Sequence, residues 1–349
     1  MKLDYIIVGL GLAGLAFAEE LVKAGKTFLV FEDNSQSSSL VAGGVYNPVI
    51  LKRFTPVWNA KEQLEVALHF YESLEKKFKT QLDYKFSTRK VFKSIEEQNN
   101  WYLASDKPLL SDYMNPEIIS EKIDVIQGDF GFGEVYQTGR IDTLVLINSY
   151  REYLNEQNLI RFEKFEHSKI NFSDNDIHYK EIVTNRIVFC EGFGIKQNPF
   201  FNYLPLNEAK GETLTIHAPE LNVDFLIKST IFVLPMGNGL YKVGATFNWT
   251  NKTSDTTKEG RDELVEKLEK VIHTPYEIID QSAGIRPTVS GRRPLVGIHP
   301  KHPKLAVLNG LGTRGVMIAP SVAKELYNFL EDQIALDSEI DCSRFKLKD

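Results

Sequence analysis

The chain has 349 residues, of which 42% are hydrophobic and 25% charged, and its formal net charge at pH 7 is −6. This is the composition of a folded globular protein with apolar material for one large domain or two, and its mild acidity argues against a general nucleic-acid binder. Cys190 and Cys342 are the only cysteines, which excludes a disulfide scaffold and makes a reducing cytoplasm the expected setting.

Residues 3–8 read as a short buried strand. The stretch from 6 to 18 is almost wholly apolar and could pass for the core of a secretory signal. Asp4 precedes it, no Lys/Arg-rich region stands before it and three glycines interrupt it, so a signal peptide is not expected. No apolar run is long enough to span a bilayer. Gly9-Leu10-Gly11-Leu12-Ala13-Gly14 follows the strand at once. A helical pattern then places Leu15, Ala18, Leu21 and Val22 on one face, and Gly25 ends it. A second apolar strand, 27–31, delivers Glu32 with Asp33 beside it.

Each part of this unit has a physical task. Gly9 permits a tight turn, Gly11 lets a pyrophosphate approach the backbone, and Gly14 lets helix and strand pack closely, with Ala13 small between them. The free N–H groups and the helix dipole favour a diphosphate. The Glu32 carboxylate can accept hydrogen bonds from both ribose hydroxyls and would repel a 2′-phosphate. Strand, glycine turn, helix, strand and acid together mark a dinucleotide site, but do not separate FAD from NAD.

Further along, residues 37–45 (Ser-Ser-Ser-Leu-Val-Ala-Gly-Gly-Val) are either a flexible loop or a backbone that approaches a flat ring. Residues 60–78 predict an amphipathic helix with Leu64, Leu68, Tyr71, Leu74 and Phe78 as its core stripe. Residues 84–86 and 90–92 read as strands, and 185–192 as an apolar strand ending at Gly192. Residues 226–234 and 241–247, joined through Gly237-Asn238-Gly239, read as a β-hairpin, and 257–272 as a charged surface helix. The seven histidines do not cluster, and His299-Pro-Lys-His302-Pro reads as a rigid surface loop without metal. Cys190, after an apolar strand, reads as a small buried hydrophobe. The segment 308–320 is a second glycine-rich loop, followed by a helix starting near Pro320 and running to Leu330.

The order and spacing of the fingerprint through Glu32, Ala42-Gly43-Gly44, Lys210-Gly211-Glu212, Val243-Gly244-Ala245-Thr246, Ala283-Gly284-Ile285-Arg286-Pro287 and the C-terminal glycine loop resemble the D-amino-acid oxidase superfamily of flavoproteins, in particular the glycine oxidases. The resemblance covers nearly the whole chain. It implies an α/β fold with a Rossmann-like FAD-binding domain (1–80, 140–204 and 281–349) and a discontinuous α+β substrate domain (81–139 and 205–280), with FAD held non-covalently. It implies that Ser38 or Ser39 with Gly43 and Gly44 line the diphosphate and isoalloxazine, that the Ile170 backbone meets the adenine, and that Gly192 packs beside the cofactor. It also implies that Gly312, Thr313, Arg314, Gly315, Val316 and Met317 bring backbone N–H groups to the pyrimidine edge of the flavin. The positive end of the helix near Pro320 would then stabilise the charge that the reduced ring gains.

The same resemblance gives Arg286 the substrate carboxylate, a task suited to a planar guanidinium that stays charged when buried; the other reading is a structural arginine between two domains. Arg314 would hold a second acidic group, favour the anionic reduced flavin, or form a surface salt bridge. Phe232 stands where glycine oxidases carry a tyrosine, and Met236 where they carry an arginine, so glycine itself is not the expected substrate. Tyr46 and Asn47 could supply polar contacts, and Lys52, Arg53, Arg292 and Arg293 flank the expected rim. The implied function is an FAD-dependent amine or amino-acid oxidoreductase that removes hydride from the carbon beside nitrogen of a small carboxylated amine and leaves an imine. The electron acceptor is oxygen, a quinone or a carrier protein. Tyr46-Asn47-Pro48 and Gly310-Leu311-Gly312-Thr313-Arg314-Gly315 with Ala319-Pro320 are also similar to the flavin domain that removes carboxymethyl from a wobble-uridine side chain. That makes tRNA an alternative partner, against which the acidic charge and the lack of a basic stripe count. A third alternative is a structural or assembly role for an FAD-binding protein.

Overall fold

The computed structural model describes residues 1–35 and 37–347. Its eight-stranded sheet is built around the first strand, β1 (Lys2–Val8), which pairs in parallel with β2 (Phe28–Phe31) on one side and with Ile182–Phe189 on the other. Ile160–Arg161 extends the β2 side in parallel, and Leu305–Asn309 runs parallel to the end of Ile182–Phe189. The antiparallel strands Ile177–Tyr179, Ile170–Phe172 and Leu295–Ile298 complete it. A parallel centre is buried on both faces, which is why β1 and β2 read as unbroken apolar runs. One face packs on helices α1 (Leu12–Lys23), Ala60–Phe78, Thr143–Glu156 and Gly315–Asp332. The other packs on an aromatic layer of Phe165, Tyr179, Phe189 and Phe201.

A seven-stranded sheet stands against this unit, in the order Glu277–Val289, Leu206–His217, Leu240–Gly244, Phe232–Gly237, Leu226–Lys228, Thr88–Val91, Phe132–Val135. Its two long strands pair from Leu206 opposite Val289 to His217 opposite Glu277, with one register shift between Thr215 and Ile216. Side chains alternate between faces. Leu214, Ile216, Val233 and Val243 pack with Leu264 and Leu268 of the Lys258–Glu269 helix, which leaves Gly211, Thr213 and Phe232 on the face that lines a cavity. The expected boundary at 280/281 falls inside the continuous Glu277–Val289 strand, and that at 139/140 inside Gly139–Ile141.

Several local expectations are corrected. Residues 226–234 are not one strand: Ser229 donates to the Ile231 carbonyl at 2.8 Å and folds the segment into two. The hairpin of Phe232–Gly237 with Leu240–Gly244 forms as expected, with Asn238 and Gly239 at φ of 53° and 71°, the left-handed pair that a tight hairpin turn needs. His299 is buried, not on a surface loop. Its Nδ1 accepts the N–H groups of Lys301 and His302, and burial lowers its pKa. No group of three or more metal-binding side chains is found among the described residues.

The last helix starts at Gly315, not near Pro320, which lies inside it. Pro320 cannot donate to the Val316 carbonyl one turn earlier. The hydroxyl of buried Tyr71, on the Ala60–Phe78 helix, donates to that carbonyl instead at 2.7 Å. A polar group that would otherwise be orphaned is thereby satisfied, and the helix runs through the proline.

Candidate active site

A cavity of about 770 Å³ lies between the two sheets and is lined by both. Its first wall is the N-terminal turn. Gly9 has φ +93°, and a side chain there would meet the Cys190 carbonyl at 2.7 Å; a side chain at Gly14 would meet the Gly9 carbonyl at 2.0 Å. Helix α1 begins after Gly11 with no side-chain cap, so its first N–H groups face the cavity, with Ser39 Oγ 3.3 Å from the Leu12 nitrogen. Glu32 is buried at the tip of β2. It accepts the N–H groups of Leu10 at 2.5 Å and Asn34 at 2.8 Å, and Arg151 lies 3.6 Å away. Uncapped helix N–H groups beside a buried carboxylate are a donor and acceptor set that fits the diphosphate and ribose of FAD.

Gly9, Gly11, Ala13, Glu32, Asp33, Ser38, Ser39, Gly43, Gly44 and Gly192 all line the cavity, as do Gly312, Thr313, Arg314, Gly315 and Val316. A side chain at Gly192, with φ +53°, would meet nothing within 4 Å, and the carbonyl of Gly192 is held by Asn309 Nδ2 at 2.9 Å. The Gly315–Asp332 helix also starts without a side-chain cap. Ser38 is partly committed, because its hydroxyl donates to the Ile285 carbonyl. Gly14 and Met317 lie behind the wall and pack it, and Ile170 lies outside it. Glu163, Lys164, Phe165 and His167, ahead of Ile170 in the chain, line the cavity; His167 Nε2 is 2.9 Å from Glu191 Oε1, whose other oxygen accepts from Asn198. That wall is made of side chains from a loop, and carries no glycine signature that a sequence could show.

Tyr46 is not in the cavity. It is buried, its hydroxyl donates to Asp83 Oδ1 at 2.7 Å, and burial with that bond raises its pKa. The partner sits in a strand of the same small sheet, Val45–Tyr46, Gly139–Ile141 and Asp83–Lys85, so the ring turns inward. Asn47 and Lys52 line the cavity, whereas Met236, Arg53, Arg292 and Arg293 do not.

Arg286 and Phe232 face the cavity from the seven-stranded sheet. The guanidinium lies over Gly211, where a side chain would come within 2.0 Å of it. It stacks on Phe247 at 4.4 Å from guanidinium carbon to ring centre, and Nη1 donates to the Thr246 carbonyl at 3.3 Å. No carboxylate lies within 4 Å among the described residues, and burial lowers its pKa to about 10, so it is charged at neutral pH. Arg314 is likewise without an acidic partner; burial first, then Arg292 and Arg293, lower its pKa. The sequence reading missed Lys228, Thr213, Phe247 and Asn309, all of which line the cavity. A lone lysine at the end of the apolar Leu226–Lys228 strand was the one available signal.

Comparison with known proteins agrees with this architecture. The family model described as FAD dependent oxidoreductase matches residues 4–328. The glycine oxidase of Bacillus subtilis is 22% identical over 351 residues, covering 92% of this chain and 91% of that one. The tRNA 5-methylaminomethyl-2-thiouridine biosynthesis bifunctional protein of Campylobacter jejuni is 21% identical over 299 residues, 83% of this chain but 45% of that protein. The crystal structure of glycine oxidase from Bacillus cereus superposes with a TM-score of 0.79 at 17% identity, covering 96% of each chain. The chain belongs to the family of FAD-dependent oxidoreductases, and FAD is its cofactor. Among the described residues no helix is long and apolar enough to cross a membrane.

Proposed function

We propose that the protein oxidises the carbon–nitrogen bond of a small carboxylated amine. The observation that carries this is Arg286: a cavity-facing, partly desolvated guanidinium held by one bond to the Thr246 carbonyl, with no carboxylate beside it among the described residues. A buried cation without a counter-ion is costly, and a planar carboxylate satisfies it with two parallel charge-assisted bonds. Phe247 behind the guanidinium and Gly211 beneath it fix its plane. Phe232, the aromatic wall of the same face, supplies contact area without a hydroxyl.

The chemistry that bound FAD would supply is a hydride acceptor for the carbon next to the amine nitrogen, and water would hydrolyse the imine that is left. The chain's own residues position and stabilise. Glu32 and the α1 N–H groups would hold the ADP half, and the Gly312–Val316 backbone at the start of the last helix would hold the ring edge where negative charge develops. Arg286 orients the substrate by its carboxylate. An amine bound neutral needs no side-chain base, which accounts for a pocket whose working groups are cations and aromatic rings. Binding is non-covalent in this reading: the nearest thiol, Cys190, is buried with a raised pKa. The two buried cysteines agree with a cytoplasmic setting.

A second reading, a tRNA wobble-uridine oxidoreductase, draws on the similarity to the bifunctional tRNA protein and on Lys52, which lines the cavity and is exposed without an acidic partner among the described residues. The net charge of −6 weighs against it. Anaerobic mixing of the holoenzyme with a library of N-substituted glycines and D-amino acids separates the two. Flavin bleaching by small amines supports the first. No bleaching by any of them, with salt-resistant tRNA binding, would move the assignment to the second.

A further inference from the structure

We propose that Lys228 forms a second anion subsite in this cavity, so that the preferred amine carries two acidic groups, one held by Arg286 and one by Lys228. This rests on the reading of Arg286 as a carboxylate anchor.

Lys228 lies directly opposite Phe232 in the antiparallel pair of Leu226–Lys228 with Phe232–Gly237. Opposed residues project from the same face, and both line the cavity. Its ammonium has neither a carboxylate within 4 Å nor a hydrogen-bond acceptor among the described residues. The other lysine beside it, Lys90 on the neighbouring strand, is satisfied: it pairs with Glu97 at 2.9 Å and donates to the Val91 carbonyl at 2.7 Å. The uncharged neighbours on the cavity wall are Thr88, Leu226 and Thr230.

The acidic side chains of the cavity are engaged elsewhere or belong to its other end. Glu32 is tied to Leu10, Asn34 and Arg151, and Glu191 to His167 and Asn198. Asp33 and Glu163 line the same end, beside β2 and Phe165. Among the described residues, the substrate end therefore holds Arg286, Arg314 and Lys228 and no carboxylate. A lysine kept only for structure would expose its ammonium or pair it; this one is held, with its charge, against the space where substrate sits.

Strand geometry sets the span. The guanidinium lies at the level of Gly211 and Thr246, two residues along from the row Thr213, Gly244, Phe232, Lys228. With strand spacing of about 4.8 Å and rise of about 3.3 Å per residue, the Lys228 Cα is roughly 14 Å from the guanidinium. A strand side chain stands roughly perpendicular to its sheet, so the lysine stem takes little off that span. The two cations therefore stay on the order of 13 Å apart, and carboxylates that contact them from between, each carbon roughly 3.5 to 4 Å from its cation, lie roughly 5 to 6 Å from one another. That is the separation in glutarate and adipate.

The test is titration of the flavin absorbance of the holoenzyme with inert monocarboxylates (acetate, butyrate) and dicarboxylates from malonate to pimelate, in the wild type, Lys228→Met and Lys228→Arg. The expected result is that glutarate or adipate binds at least tenfold more tightly than butyrate in the wild type. Lys228→Met should bring the ratio to within about twofold of one, and Lys228→Arg should preserve most of it. A wild-type ratio near one overturns the proposal whatever the variants do, as does a ratio that survives in Lys228→Met. Failure of the underlying reading has a different signature: butyrate affinity would then be unaltered in Arg286→Met.

Discussion

Gly211→Ala tests the Arg286 site without touching the arginine. A methyl group at 211 would lie 2.0 Å from one guanidinium nitrogen and 2.2 Å from the other and from the central carbon. Ordinary contact begins near 3.4 Å, so the guanidinium must retreat by about 1.4 Å. The obstacle is the free end of a flexible side chain, so the fold survives, and Gly211 pairs opposite Gly284 in a regular strand where alanine is tolerated. A shift of that size breaks at least one of two charge-assisted bonds to a carboxylate, about 1.5–3 kcal/mol. The expected outcome is a loss of about 10- to 100-fold in kcat/KM for a carboxylated amine, with flavin content and thermal midpoint at wild-type values. Stopped-flow flavin reduction across a substrate series measures it. Unchanged kinetics in a variant with full flavin would refute the placement of substrate at Arg286.

Arg286→Met should raise the Kd of carboxylate ligands by two orders of magnitude or more, about 3 kcal/mol, yet leave the thermal midpoint equal or higher, because no partner charge is abandoned; a lower midpoint would show a structural role. Glu32→Ala removes the acceptor of the Leu10 N–H and leaves Arg151 unpaired, so the purified protein should carry well under half its flavin, and full occupancy would remove Glu32 from the site. Tyr71→Phe orphans the Val316 carbonyl and should cost about 1–3 kcal/mol of stability in urea unfolding, against no change if water replaces the hydroxyl. Burial first, then Lys90 and Lys93, lower the Lys228 pKa to about 8. The lysine is therefore cationic below and neutral above, and dicarboxylate affinity should fall as pH rises from 7 to 9.5 while Arg286, at about 10, keeps most of its charge. A flat profile in the wild type would contradict this.

What could be read in advance was what the backbone demands. Gly9 and Gly14 are required because a side chain at either would strike a main-chain carbonyl, and such demands leave a fixed spacing in the sequence. Ala60–Phe78 was legible because an amphipathic stripe needs only its own residues. What depends on a distant partner was not legible. Tyr46 turns inward because Asp83, 37 positions away, takes its hydroxyl. Pro320 looked like a helix start because nothing near it announces that Tyr71 completes the helix. The break at Ser229–Ile231 has neither glycine nor proline to mark it. Lys228 acquires meaning only when the sheet sets it beside Phe232.

The Glu277–Val289 strand has a mechanical consequence. Its early residues belong to the seven-stranded sheet, while Val289 at its end is sunk in the core of the eight-stranded one beside Leu206 and Leu295. One inextensible rod, laced to its neighbour along its length, is anchored at both units and carries Arg286 between them. Rotation of one unit against the other would tear that lacing, so the distance from Arg286 to the flavin loop is fixed in the scaffold. A substrate would then meet a preset reacting geometry rather than one assembled on closure.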